Sequence, residues 1–317
     1  MIISNAPFSR SVRLCVVFIV TGFIFQQGVN AQTFTLSKEQ LIKYTSKAEY
    51  ERFPDGRPKV PDALLERLKA LCAEEVHAVL SSRGFTNQFE GGDWKVLHPG
   101  RKLVGRAVTI QYMPARPDIA DVDAGDAEAR GQGRPRNQTV IDTLQPGDVI
   151  VADAFGSGFN FVGNKLAFAI GQATHNTGMV VDGGIYWLDR MSEFDLQAYF
   201  RSSHPALVSN VMVTGINIPI RIGNATVLPG DIVFGDREGV HFIPPHLVRE
   251  VVESGEMSMA RDEWTLKMMA TGKYKSSELY GRPADPELMR QRREYIRNKT
   301  GRDEPEPQQR PAKKPPQ

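Results

Sequence analysis

The stretch Gly163-Asn164-Lys165-Leu166-Ala167 opens a helix that the residue pattern extends to about Thr174. Asn164 is a favourable N-cap residue, and Gly163 permits close backbone approach. The amides around Lys165 and Leu166 then face outward, unpaired, at the positive end of the helix dipole. That is an anion site, and a small carboxylate is its natural guest, with Lys165 adding charge. An ordinary capped helix accounts for the same residues equally well. A second constellation follows the apolar strand Met179-Val180-Val181, where Asp182-Gly183-Gly184 is succeeded by Tyr186, Trp187, Asp189 and Arg190. Side chains placed after a buried strand and a glycine turn commonly line a cleft in α/β folds. Asp189 and Arg190 supply an acid and a base there. Tyr186 and Trp187 suit ligand contact, but they suit packing under a neighbouring loop as well.

Other chemistries are excluded by spacing. Gly156-Ser157-Gly158 lacks the flanks of a serine nucleophile elbow. The glycines at 156, 158 and 163 form neither a dinucleotide fingerprint nor a phosphate loop. His77, His98, His175, His204, His241 and His246 are scattered, and no His or Cys pair has zinc spacing. Asp118, Asp121, Asp123 and Asp126 are not an EF-hand, because Gly125 comes one position early and Gln132 stands where the bidentate Glu belongs.

The elements that must position these residues alternate between helices and short apolar strands, which predicts an α/β fold. A short helix is expected over Leu36–Tyr50. A longer one, started by Asp62, is expected to run to about Ser82 on Leu64, Leu65, Leu68, Leu71, Cys72, Val76, Val79 and Leu80. Arg101–Met113 reads as a strand, Pro114–Gln138 as a solvated loop or lid, and Leu247–Ala270 as a long helix. Ala206–Thr214 and Ile218–Ile222 are further β-prone segments. An internal echo brackets the candidate site: Pro146-Gly147-Asp148 followed by Val149–Asp153, and Pro229-Gly230-Asp231 followed by Ile232–Asp236. In each copy proline fixes φ and glycine accepts positive φ, so both read as turn-then-strand units.

The beginning of the chain carries Arg10 and Arg13, an apolar run from Leu14 to Phe25, and small residues at Val29 and Ala31. That order predicts a cleavable signal peptide over residues 1–31, cut before Gln32, and hence an exported protein. The run is short of the ~20 residues a membrane span needs, so no membrane attachment is expected after cleavage. Cleavage removes Cys15 and leaves Cys72 alone, which excludes an intrachain disulfide framework. Cys72 is expected to be a packed core residue. Cleavage also removes two arginines and no acid, so the formal charge of +2 falls to about zero; a nucleic-acid footprint is not expected. The expected organisation is a helical extension over 32–59, one domain over 60–275, a second helical extension over 276–300, and a disordered Pro/Gln/Lys-rich tail over 301–317.

Taken in order, Gly147-Asp148 to Asp153, Gly163 to Ala167, Val180 to Gly184, Gly215 to Gly223 and Pro229 to Pro244 resemble the RraA-like family. That family includes 4-hydroxy-4-methyl-2-oxoglutarate aldolases, oxaloacetate decarboxylases and the regulator of ribonuclease activity A. The resemblance implies a swivelling β/β/α domain and a homotrimer or hexamer with sites at subunit interfaces. It also implies a divalent-metal lyase, using Mg2+ or Mn2+, that releases pyruvate from a small 2-oxo dicarboxylic acid. In such a site the metal polarises the keto oxygen and an arginine supports the enolate. The family reads Asp-Gly-x-x-Arg-Asp at the strand end, the Arg binding substrate and the Asp holding metal. Here those two positions are Tyr186 and Trp187. The resemblance therefore leaves Asp189, Arg190 and Lys165 as the catalytic candidates, with Asp189 as the sole metal-ligand candidate. Gly163, Asn164, Lys165, Leu166 and Tyr186 are the substrate-binding candidates. The alternative is a carboxylate-binding or scaffolding protein without the metal chemistry.

Overall fold

The computed structural model describes residues 34–129, 137–156, 158–205 and 210–305. The expected signal peptide, and the tail beyond residue 305, lie outside them. In chain order the helices are α1 (Lys38–Tyr44), α2 (Asp62–Leu68), α3 (Ala73–Ser82), α4 (Pro117–Ala129), α5 (Asn137–Ile141), α6 (Asn164–Thr174), α7 (Leu188–Met191), α8 (Val248–Ala270), α9 (Ser276–Leu279) and α10 (Pro286–Thr300). The strands are β1 (Phe89–Glu90), β2 (Lys95–Val96), β3 (Leu103–Pro114), β4 (Asp148–Asp153), β5 (Gly178–Ile185), β6 (Gln197–Ser203), β7 (Val211–Ile216), β8 (Ile220–Ile222), β9 (Ala225–Val227), β10 (Ile232–Gly235) and β11 (Val240–Ile243).

Nine strands form one sheet in the order β1-β11-β10-β3-β4-β5-β6-β2, with β7 added to the far half of β3. The middle, β3 to β6, is parallel; β10, β11 and β7 run antiparallel. The outermost strands β1 and β2 are separated in sequence only by residues 91–94. A four-residue link cannot cross a flat nine-stranded sheet at ~4.8 Å per strand, so the sheet curls into a half-barrel. Its inner face is apolar, with Leu103, Val149, Val151, Val180, Val233 and Phe242 packed around the β8–β9 hairpin. The outer face is covered twice. Helices α5 and α6 pack on Val108, Ile110, Ile150 and Val181, while α2, α3 and α8 pack on Val104, Ile232, Phe234 and Ile243. The sheet strands bury both faces, which explains their near-continuous apolar runs.

Three sequence expectations are corrected. The helix expected over Asp62–Ser82 is broken at residues 69–72. Leu71 is fully buried there, and Cys72 takes an extended conformation as the N-cap of α3. The Glu75 carboxylate accepts from the Cys72 amide and the Asp236 carboxylate from the Ala73 amide, so a new helix start is capped inside a continuous 3.6-residue pattern. The break turns Cys72 out, and it is exposed rather than packed in the core. Second, the segment expected to be a loop from Pro114 to Gln138 contains α4, built on Asp, Ala and Glu. Its apolar residues have no helical stripe, so periodicity did not reveal it. Third, the expected helix Leu36–Tyr50 ends at Tyr44, where Thr45 turns its hydroxyl back onto the Leu41 carbonyl.

Both extensions pack on the domain. From the N-terminal side, the buried Arg57 guanidinium bonds both carboxylate oxygens of Asp148 in the first Pro-Gly-Asp turn, at 2.9 and 3.1 Å. At the other end, Glu304 accepts from Arg261 and Arg292, and Arg302 pairs with Glu256. The first residues of the expected tail are thus held against α8 and α10. Among the described residues, no helix is long and apolar enough to cross a membrane.

One core residue weakens the fold towards acid pH. His241 on β11 is 1% exposed and sits against Phe89, Phe234 and His77. Neither ring nitrogen has a hydrogen-bond partner among the described residues. Burial, and then the His77 charge, pull its pKa from 6.5 down to about 3. The folded state binds this proton less well than the unfolded chain. Its contribution is complete above pH 6.5 and is lost as pH falls towards 3. His241→Phe is therefore expected to gain roughly 2 kcal/mol on wild type between pH 7.5 and pH 5. Urea unfolding of both proteins at the two pH values measures it; an unchanged difference rules the account out.

Candidate functional site

The N-terminus of α6 and the end of β5 meet. The chain from residue 159 to 161 runs alongside the end of β5: the Gly184 amide donates to the Phe159 carbonyl at 2.8 Å, and the Phe161 amide donates to Gly184 at 2.6 Å. The Tyr186 amide then donates to Val162 at 3.2 Å. These three bonds bring Gly163 against Tyr186. Gly184 must be glycine for this approach, since a Cβ there would lie 2.7 Å from the Phe159 oxygen.

Gly163 is the N-cap of α6, in extended conformation and without a side-chain cap bond. The cap is one residue earlier than expected, and Asn164 is the first helical residue. A glycine cap contributes no oxygen, so the first helical amides keep their donor capacity. Tyr186 lies directly over this cap. A Cβ on Gly163 would be 2.6 Å from the ring Cζ and 2.9 Å from the phenol oxygen. The absence of a side chain at 163 is what seats the half-buried Tyr186 ring at the helix start. Lys165, next along the helix, is exposed. Gly163, Asn164, Lys165, Leu166 and Tyr186 are thus brought to one place.

Asp189 and Arg190 lie on the next element, α7. Trp187 has φ +66°, in the left-handed region, and turns the chain into the short helix α7. Asp189 and Arg190 are exposed on it, and Arg190 pairs with Glu193 at 3.4 Å. Among the described residues, no hydrogen bond or ion pair links either side chain to Lys165. Trp187 is 55% exposed beside Tyr186, at a ring separation of 6.5 Å.

Asp182, the acid of the glycine turn, faces the inside of the half-barrel instead. Its carboxylate accepts from Arg201 Nε at 2.9 Å and from the Gly223 amide at 3.3 Å. Arg201 also reaches Glu90 at 2.8 Å and stacks on Trp94 at 3.6 Å. Asp153 is in register with Asp182 on the adjacent strand; burial above all, with the Asp182 charge behind it, holds its carboxyl above the usual range. This network closes the polar end of the barrel interior and is structural. Sequence reasoning missed it, and also missed the 159–161 segment, whose single bridge to Gly184 is too short to leave a period.

The donor set does not fit the divalent metal that the resemblance implies. Indole offers no lone pair to a hard cation, the matched arginine position holds a phenol, and Asp189 is a single exposed carboxylate. Among the described residues the one cluster with metal-ligand proximity is Cys72, Glu74 and Glu75, on α3 and its cap rather than at α6.

Three comparisons place the chain. Residues 62–241 match the family described as RraA-like, Aldolase/RraA. A protein of Halalkalibacterium halodurans, provisionally named a 4-hydroxy-4-methyl-2-oxoglutarate aldolase, is 30% identical over 172 residues, covering 53% of this chain and 72% of that one. The Legionella pneumophila protein DlpA is 28% identical over 200 residues, but the chain spans only 29% of its length. Among solved structures, RraAS2 of Streptomyces coelicolor, described as an unusual member of the RNase ES inhibitor RraA family, superposes with a TM-score of 0.54 at 27% identity, covering 70% of this chain and 98% of that one. An uncharacterized Pseudomonas syringae protein shares the fold, with a TM-score of 0.57 at 20% identity and 70% and 98% coverage.

Proposed function

This chain belongs to the RraA-like family, and from that premise we propose that it is an exported protein that binds a small 2-oxo carboxylate at the N-terminus of α6 without a divalent metal. One observation carries the reading: Tyr186 stands where the family has its substrate arginine, and its ring is seated on the bare cap Gly163. A carboxylate at this point accepts from the uncapped helix amides and from the phenol hydroxyl. Lys165 supplies the positive charge at close range. The phenol is neutral, so the site stabilises a bound anion but gives little to a developing enolate. Carbon–carbon cleavage needs that stabilisation, and Trp187 removes the ligand that would hold a metal to provide it. Export is supported by the charge, apolar run and small residues of 1–31, and a homotrimer or hexamer by family membership.

The second reading is a metal-dependent aldolase or decarboxylase, favoured by the name of the 30% identical relative. Calorimetry with oxalate and oxaloacetate, alongside pyruvate release with Mg2+ or Mn2+ and with chelator, separates the two. The expected result is saturable binding, unaffected by chelator, with no enzymatic pyruvate release. Gly163→Ala is expected to push the Tyr186 ring off the cap and weaken binding about tenfold or more. Metal-dependent turnover that Asp189→Ala abolishes overturns the proposal in favour of the lyase. In the double variant Tyr186→Arg, Trp187→Asp, metal-dependent oxalate binding is expected to appear. An aspartate is also better suited than tryptophan to the left-handed backbone at 187.

A further inference from the structure

A separate cavity of about 580 Å³ is lined among others by Trp94, Tyr199, Lys102, Arg237, Glu74 and Glu238. It lies by the first residue of β3 and the last of β10, whereas the α6 cap lies beyond the last residues of β4 and β5. Trp94 and Tyr199 line it from the inner face of the sheet, whereas α6 packs on the outer face. The volume falls in the range of small-molecule sites.

Its walls divide by chemistry. The aromatic wall is rigid: the Tyr199 hydroxyl donates to the Asp236 carbonyl at 2.8 Å, Trp94 Nε1 donates to the Glu90 carbonyl at 3.0 Å, and Arg201 is stacked on the indole. Most of the charges are already committed. Arg101 pairs with Asp195, Lys102 donates to the Leu71 carbonyl, and Asp236 caps the Ala73 and Glu238 amides. Two sets are not. The Arg237 guanidinium, lying beside Gly100, has no acceptor among the described residues. Glu74 and Glu238 contact each other instead of a cation; their like charges are what raise the Glu238 carboxyl above its usual range. A cavity with an unspent cation, an unspent pair of acids and a fixed aromatic wall is complementary to a molecule carrying one of each.

We propose that this cavity binds a zwitterionic α-amino acid with an aromatic or large apolar side chain. The carboxylate pairs with Arg237, the ammonium bridges Glu74 and Glu238, and the side chain lies against Trp94, which the buried Tyr199 backs. Bridging by an ammonium removes the carboxylate–carboxylate repulsion, an interaction neither a neutral nor an anionic ligand provides. The proposal is independent of the reading of the α6 site.

Calorimetry with L-phenylalanine tests it, with 3-phenylpropionate and 2-phenylethylamine as analogues lacking one charge. The expected result is one saturable site, weakened about tenfold or more by loss of either ligand charge, by Arg237→Met, and by the double change Glu74→Gln, Glu238→Gln. All three positions are exposed, so these variants keep the fold, which circular dichroism checks. Gly163→Ala is expected to leave the affinity unchanged. As a second readout, L-phenylalanine is expected to slow alkylation of Cys72 on the cavity wall, followed by peptide mass spectrometry. No saturation at about 10 mM, equal binding of both analogues, or binding that survives Arg237→Met but not Gly163→Ala overturns the proposal.

Discussion

Replacing Arg57 by methionine is expected to cost about 3–5 kcal/mol of folding free energy at pH 7. Arg57 and Asp148 are 2% and 0% exposed at their side chains, and the guanidinium grips both carboxylate oxygens. It also bonds Asp55 at 2.7 Å and contacts the Ala107 carbonyl. Removing the cation leaves the Asp148 charge buried with only the Gln145 amide beside it. The penalty comes from that orphaned charge, not from the worth of the pair, and the double variant separates them. Asp148→Asn keeps an acceptor for Gln145 and carries no charge, so Arg57→Met with Asp148→Asn is expected to recover more than half of the loss. Urea denaturation of the three variants measures this. Equal losses in the single and double variants discard the explanation. The latch also ties the N-terminal extension to the domain, since Arg57 lies in the extension and Asp148 at the start of β4, so this extension is part of the cooperative unit.

The second Pro-Gly-Asp turn predicts an effect of opposite sign. Asp231 is fully buried and accepts from the Leu228 amide at 2.8 Å, with no cation opposite it among the described residues. Burial pushes its carboxyl from 3.8 up to about 7. The folded state therefore holds this proton more tightly than the unfolded chain. The contribution is complete below pH 3.8, declines as pH rises, and is gone above about 7. Asp231→Asn keeps the acceptor for Leu228 and removes the ionisation. It is expected to stabilise the protein by roughly 2–4 kcal/mol at pH 8, with the gain shrinking below about 1 kcal/mol at pH 4. Thermal unfolding across that range decides the matter; a gain that is constant with pH excludes ionisation as the cause. His241 carries the contrary slope between about pH 3 and 6.5, so the two groups offset each other across mildly acidic pH.

The repeat shows what a sequence can and cannot reveal. Both turns were legible, because proline and glycine have local causes. The unlike fates of Asp148 and Asp231 were not, because the arginine that decides them lies 91 residues before Asp148. The α/β class, most strands, and the helices α6 and α8 followed from periodicity. The α4 helix did not, since its composition favours a helix but leaves no stripe. At the candidate site, Gly163 and Tyr186 could each be singled out, but their contact depends on the backbone bonds of residues 159–162. Asp189 and Arg190 were chosen by nearness in sequence, and the left-handed turn at Trp187 places them on the short exposed helix α7.

One small feature bears on how copies of this chain are kept apart. Beyond its pairing with β3, strand β7 would present a row of free amides and carbonyls. Phe34 instead accepts from the Ile216 amide and donates to the Thr214 carbonyl, each at 2.9 Å, and Leu36 continues to Asn217. Phe34 and Leu36 thus occupy an open sheet edge, the surface on which β-proteins otherwise recruit one another. A protease that trims those residues, or a cut placed a few positions late, exposes a ready template for intermolecular strand addition. If the chain is cut where its sequence suggests, the position of the cut decides whether this edge stays covered.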